Sequence, residues 1–307
     1  MNSSLLYNQT GDLPVSLVND YFFRILFERN ETALKGFLSA LLRIQPDEIE
    51  DAKIINPIKP GMVLTDKEFH LDLLVKMKGQ HVNIEMQVVD YHNWNDRSLA
   101  YLCRQFDNLN KGDDYACVTP VIHISLLDFT LFETEPEFYA TYKMLNVKKP
   151  AQIYNSKFVL SVLELNQIDL ATEEDKEWNL DLWARFFKEK TWEGLRMLAE
   201  QSKYLASAAD TAACIVMDPE EERQMRYRQE MAAYKKMDEK LRTEMQEQLT
   251  DTIEKLAEAK EEITAKDQQL TAKDQQLAET KEELTEVKKE LATMAEEIKR
   301  LKAQIKD

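Results

Sequence analysis

Two acidic side chains, Asp72 and Glu85, stand in the segment FHLDLLVKMKGQHVNIEMQVV (69–89), whose other residues read as β-strand. Side chains alternate faces along a strand. On a first strand, 69–77, Phe69, Leu71, Leu73 and Val75 share one face, and His70, Asp72, Leu74 and Lys76 share the other. On a second, 81–89, Val82, Ile84, Met86 and Val88 make an apolar face, while Asn83, Glu85 and Gln87 point the opposite way. Lys78-Gly79 fits a two-residue hairpin turn, which pairs Met77 with Gln80 and sets Asp72 directly opposite Glu85. Their Cβ atoms would then be about 4.5–5.5 Å apart. Like charges so opposed destabilise a sheet, and both residue types are poor strand formers. A divalent cation between the carboxylates would remove the conflict, and hard oxygen donors at this separation suit Mg²⁺ or Mn²⁺. The competing reading is an ordinary wet face with Lys76 screening the acids, and spacing alone leaves both open.

Other chemistries find less support. His70, His81, His92 and His123 have no metal-ligand spacing, and no Gly-rich phosphate loop or nucleophile elbow is present. His123 lies in an apolar strand and reads as a satisfied core residue. Cys103, Cys117 and Cys214 are odd in number and widely spaced, which argues against a disulfide framework or a thiolate zinc site. Cys103 and Cys117 sit among apolar residues and read as packing.

The elements that must position the acids are of mixed type. Asp20 is placed to cap a first helix, Tyr21 to Glu28, and a second runs from Glu31 to Arg43. Pro46, Pro57 and Pro60 bound a short strand, Lys53 to Ile58. A helix over Asp96 to Asn110 stops at Gly112. The stretches 118–127, 138–145 and 157–165 read as strands. Trp178, Trp183, Phe186, Phe187 and Trp192 fall in helical segments and read as core.

The chain has 307 residues and a formal charge of -16, of which -10 falls in 1–217 and -6 in 218–307. Neither part carries a long basic footprint, so any nucleic-acid contact must use a local patch or a metal ion. The N-terminal segment has no basic n-region followed by an apolar h-region, and no apolar run approaches a membrane span. A cytoplasmic protein with no membrane partner is expected.

After Pro219 there is neither glycine nor proline. TAKDQQL at 264–270 recurs at 271–277, and Leu249, Leu256, Ile263, Leu270, Leu277, Leu284, Leu291, Ile298 and Ile305 follow one another at intervals of seven. A strict seven-residue apolar repeat implies a left-handed coiled coil and a homo-oligomer. A second seam is polar in its middle (Lys266, Lys273, Thr280), which weakens association, and a single solvated helix is the competing reading. Two domains are therefore expected, 1–217 and 218–307.

Across about 18–200, the sequence resembles the PD-(D/E)xK nuclease superfamily. It is closer to the PD-(D/E)xK nuclease family transposases, also called recombination-promoting nucleases. The resemblance rests on NDYFFRILF (19–27), LDLLVK and NIEMQ on adjacent strands, DRSLAYLCRQFDNLNKGDDY (96–115) and TPVIHISLLDF (119–129). It implies an α/β fold, a mixed sheet flanked by helices, with Asp72 and Glu85 as metal ligands and the Met86 carbonyl completing the set. Glu28 or Glu31 would be outer ligands, and Lys76, Arg97 and Tyr101 phosphate or cleft contacts. Gln87 falls where the superfamily pattern has lysine. Lysine offers charge, whereas an amide orients only through hydrogen bonds, so Gln87 bears on rate more than on metal binding. The implied activity is Mg²⁺- or Mn²⁺-dependent hydrolysis of phosphodiester bonds in DNA. Two alternatives stay open: a catalytically inactive nuclease-like scaffold acting through its coiled coil, and a transposition factor that needs a partner before it cuts.

Overall fold

The structure, a computed structural model, describes residues 3–49, 52–55, 58–59, 69–70, 72–77 and 79–304. The described residues form two units, 1–239 and 240–307. In the first, short helix α1 (Ser3–Asn8) precedes α2 (Asp20–Arg29) and α3 (Glu31–Leu42). The cap of α2 is Asn19, not Asp20: the Asn19 Oδ1 accepts from the Tyr21 and Phe22 amides at 3.1 and 3.2 Å. An asparagine just outside the first turn has the extended backbone that a cap needs, whereas Asp20 is already helical. Asn30 caps α3 in the same way, accepting from the Ala33 amide at 2.8 Å.

The strands follow: β1 (Lys53–Ile55), β2 (Ile58–Lys59), β3 (Phe69–His70), β4 (Leu73–Met77) and β5 (Gln80–Gln87). Helix α4 (Trp94–Phe106) leads to β6 (Val121–Leu127), and then come β7 (Tyr139–Asn146) and β8 (Lys149–Glu164). Six strands form one mixed sheet in the order β1-β4-β5-β6-β8-β7, parallel at β5/β6 and β6/β8 and antiparallel elsewhere. The expected mixed sheet flanked by helices is what the chain forms. The hairpin register is also as read, with Met77 opposite Gln80 and Lys76 opposite His81. Gly79 has φ of 73°, a left-handed conformation that glycine adopts without strain. Lys78, Leu71, part of the strand expected over 53–58, and Ile305 lie outside the described residues. The strand expected from 157 begins at Lys149.

Helices α5 (Glu173–Glu177), α6 (Leu180–Lys188), α7 (Trp192–Ala199) and α8 (Lys203–Val216) complete the globular part, and α9 (Pro219–Gln304) ends the chain. One sheet face, with Val75, Val82, Ile84, Met86, Ile124 and Leu126, joins the side chains of α2, α3, α6 and α8 in a single core. At its centre Phe27 stacks on Phe37 with centroids 5.0 Å apart, and Trp183 tilts against Phe37 at 5.2 Å. Trp183, Phe186, Phe187 and Trp192 are buried as expected, and Trp178 is half-buried. The opposite face is polar at Asn83, Glu85, His123 and Ser125, and α4 packs against its β6 and β8 strands. Cys103 and Cys117 are exposed rather than packed. Helix α4 buries Ser98, Tyr101, Leu102 and Gln105, and Cys103 falls outside that stripe.

From 240 to 300 every residue of the helix is exposed, including the seven-residue seam from Leu249 to Ile298. None of the described helices is long and apolar enough to cross a membrane.

Close packing of α3 on α8 depends on Gly36. A Cβ at this position would fall inside the contact distance of the Tyr204 Cβ, which cannot swing away as a side-chain tip can. Gly36→Ala should therefore lower stability by about 1–3 kcal/mol, the usual cost of overpacking, despite its better helix propensity. A urea melt that shows equal or greater stability in the variant would contradict this packing.

Candidate active site

Glu85 sits in the middle of β5, fully buried. The alternation of this strand sends Val82, Ile84 and Met86 into the core, so Asn83, Glu85 and Gln87 must face α4. Asn83 Nδ2 donates to Glu85 Oε1 at 3.3 Å and to His123 Nδ1 at 2.8 Å. Glu85 Oε2 is buried and meets no donor, and His123 Nε2 and Ser125 Oγ are likewise unpartnered. His123 is thus a buried core residue satisfied on one nitrogen only. Burial drives its pKa down to about 3, so its ring is neutral.

Asp72 departs from the expected geometry. The ladder starts at Leu73↔Ile84, and Asp72 occupies a bend just before it, so it is not a ladder partner of Glu85. Its Oδ2 instead accepts from the Met86 amide at 2.7 Å. Outside the ladder, the side chain serves as the acceptor for this β5 amide in place of a strand carbonyl. The carboxylate is thereby anchored beside the Glu85–Met86 peptide, and the two acids interact.

Burial pushes the pKa of Asp72 up to about 7; Asp20 adds to the rise, while the Met86 amide, Arg97 and Arg24 oppose it. Glu85 is held well above the usual carboxylate range, first by burial and then by Asp72, with Arg97 and Asn83 opposing. Among the described residues, no third Asp, Glu, His or Cys joins the pair in a metal-binding group. The donors are hard oxygens: two carboxylates, one with an orphaned buried oxygen, and the adjoining Met86 carbonyl. A divalent cation fits this set, because it would satisfy Glu85 Oε2 and remove the penalty for two neighbouring anions.

Asp72 opens onto a cleft of about 460 Å³, whose wall also includes Met86, Gln87 and Arg97, while Glu85 is fully buried behind it. Arg97 stands over the rings of both Trp94 and Tyr101, each 5.2 Å from its guanidinium carbon. Its Nε donates to Tyr101 Oη and its Nη1 to Gln87 Oε1, both at 3.2 Å. The i−3 and i+4 positions of one helix therefore fix the guanidinium beside Gln87. The structure puts Asp72, Met86, Gln87 and Arg97 on the cleft wall, with Glu85 and Tyr101 buried and interacting with Asp72 and Arg97 respectively. It does not bring the other candidates to the cleft wall. Glu28 lies 3.8 Å from Arg24, Glu31 pairs with Lys35 at 3.2 Å, and Lys76 is exposed on β4. Sequence reasoning missed Asp20, Arg24, Arg228 and Lys235, which also line the cleft. The last two belong to α9 and carry no motif.

A family model described as PD-(D/E)XK nuclease family transposase matches residues 17–244. No curated protein and no solved structure matches the chain.

The raised carboxyls set a direction for pH. Folded Asp72, at about 7 against an ordinary 3.8, binds a proton across a window in which the unfolded chain has lost it. The slope of stability with pH from Asp72 is therefore negative between about pH 4 and 7, and the raised Glu85 acts in the same direction. Without metal, Glu85→Gln should be more stable than the unsubstituted protein at pH 8, with the difference shrinking towards pH 4. Saturating Mg²⁺ or Mn²⁺ should reverse the order, adding about 2.7 kcal/mol to the unsubstituted protein at a hundredfold excess over Kd. Urea melts in chelator and in metal check both signs; a variant less stable at pH 8 in chelator would contradict the burial argument.

Proposed function

The chain belongs to the PD-(D/E)XK nuclease family transposases, and from that premise we propose that it is a divalent-cation-dependent DNA endonuclease whose centre is Asp72, Glu85 and Gln87. One observation carries this reading. An aspartate anchored to the Met86 amide lines a cleft with cationic walls, and directly behind it is a fully buried glutamate with an orphaned oxygen. A structural role alone gives no reason to bury two interacting carboxylates without a cation.

Asp72, Glu85 and the Met86 carbonyl would hold the ion. When bound, Mg²⁺ or Mn²⁺ supplies a Lewis acid for the scissile phosphate and lowers the pKa of a water molecule. The protein's own groups do the rest. Gln87 Oε1 is engaged by Arg97, which leaves its amide hydrogens to orient a phosphate oxygen or the attacking water. Arg97 brings the fixed positive charge that an amide at position 87 lacks, in a fork suited to phosphate oxygens. Trp94 and Tyr101 keep that fork in place, and Tyr101 is a positioning residue. Arg24 lines the same wall and adds charge.

The exposed seam of α9 supports a second component, self-association as a coiled coil. Two copies would present two centres to the two strands of one duplex.

Nicking of supercoiled plasmid in Mg²⁺ or Mn²⁺ tests the enzyme. Asp72→Ala and Glu85→Ala should each lose about a hundredfold or more in rate, since metal-based charge stabilisation amounts to several kcal/mol. If pure protein never cuts, or both variants cut as well as the original, the scaffold reading takes its place. Analytical ultracentrifugation tests the seam. The full chain should sediment as an oligomer, and Leu256→Glu with Leu270→Glu should return it to a monomer. A monomeric parent at tens of micromolar would overturn the coil.

A further inference from the structure

We propose that the first turns of α9 are part of the substrate-binding cleft, with Arg228 and Lys235 contacting the phosphate backbone of the nucleic acid held there. This rests on the nuclease reading above and extends it to an element outside the motifs quoted from the sequence.

The base of α9 is docked on the globular part by a stripe at helical spacing. Glu221 accepts from Tyr21 Oη at 2.6 Å and pairs with Arg29. Met225 is fully buried, and its carbonyl accepts from Asn19 Nδ2 at 2.9 Å. Gln229 accepts from the Ser16 amide at 3.3 Å, and Lys236 pairs with Asp128 at 3.6 Å. Residues 221, 225, 228–229, 232 and 235–236 therefore share one face of the helix. Arg228, Ala232 and Lys235 of that stripe, with the neighbouring Met231, wall the cleft that contains Asp72 and Gln87.

The charges there are unusual for this chain. The cleft is lined by Arg24, Arg97, Arg228 and Lys235 against Asp20 and Asp72, in a protein of net charge -16. A cation bound at Asp72 would make the local balance still more positive. Arg228 is held by Asp20 at 3.3 Å and is half-exposed, so it is aimed but not consumed. Lys235 is exposed and makes no ion pair with any described residue. An unpaired lysine beside a paired arginine, both on one wall of an otherwise acidic protein's catalytic cleft, is the arrangement that a polyanion requires.

The test uses the full chain and a labelled DNA duplex in chelator, where binding occurs without cutting. Fluorescence anisotropy over a range of salt gives the slope of log K against log[salt]. Each phosphate contact contributes about 0.9 to that slope on duplex DNA. Lys235→Gln, which breaks no contact within the protein, should reduce the slope by about 0.9 and weaken binding several-fold. Arg228→Gln with Lys235→Gln should reduce it by about 1.8, and Arg228→Lys should keep it. Lys255→Gln, on the exposed helix beyond the cleft, should change nothing. If the parent binds DNA and Lys235→Gln and the double variant bind with the parent's slope, the inference fails while the nuclease reading stands. If the parent binds no DNA in this assay, the inference fails; the nuclease reading falls with it only if plasmid nicking in Mg²⁺ or Mn²⁺ is absent as well.

Discussion

A single hydrogen bond, from the Met86 amide to the Asp72 carboxylate, sets the geometry of the centre. Asp72 lies in a bend immediately before Leu73, the first residue of β4, and its side chain is the acceptor at that point of β5. The bond also fixes where the first carboxylate can be. An aspartate reaching back to a main-chain amide is tied to the strand that carries Glu85, so the acids move together. The rest of the sheet follows from the need to hold β5 still. This strand is paired on both sides, antiparallel to β4 and parallel to β6, and its apolar face is locked into the main core.

Much of this was legible in the residues. The alternation of Val82, Ile84 and Met86 against Asn83, Glu85 and Gln87 fixes the faces of β5, because one slip of register would bury the polar set in the main core. Lys78-Gly79 fixes the hairpin register. The bend at Asp72 was not legible, since side-chain capture of a backbone amide leaves no mark in hydrophobic periodicity. The choice of Asn19 over Asp20 as cap was equally hidden: both are good caps, and only the docking of Asn19 on Met225 separates them. The burial of Asn83, His123 and Ser125 behind Glu85 has a faint signal, polar residues at alternate positions of otherwise apolar strands.

The base of α9 was the least legible part. A composition free of glycine and proline after Pro219 reads as one uniform helix, and the seven-residue seam begins only at Leu249. The stripe that docks the base consists of Glu221, Met225, Arg228, Gln229 and Lys236, a mostly polar set whose partners come from distant segments. Periodicity of apolar residues cannot detect such a face, because ion pairs and amide contacts hold it. The family match running to residue 244 is consistent with this, since it takes in the whole docked stretch and stops before the exposed seam.

The substitution of Gln87 for lysine looks like a loss when the strand is read alone. Seen with α4 in place, it is a redistribution of charge. A lysine at 87 would lie beside Arg97, and two cations at that spacing would repel one another unless substrate separated them. Glutamine accepts from Arg97 instead, at 3.2 Å, and holds the guanidinium at the cleft wall in the absence of any ligand. The positive charge then comes from a helix residue braced by two aromatic rings rather than from a flexible strand lysine. On the proposed reading, a braced guanidinium would lose little conformational freedom on meeting a phosphate, so its attraction would be less reduced by ordering than that of a free lysine. The hydrogen bond joins the amide at 87 and the arginine at 97 into one unit, so the position of the guanidinium depends on the residue type at 87.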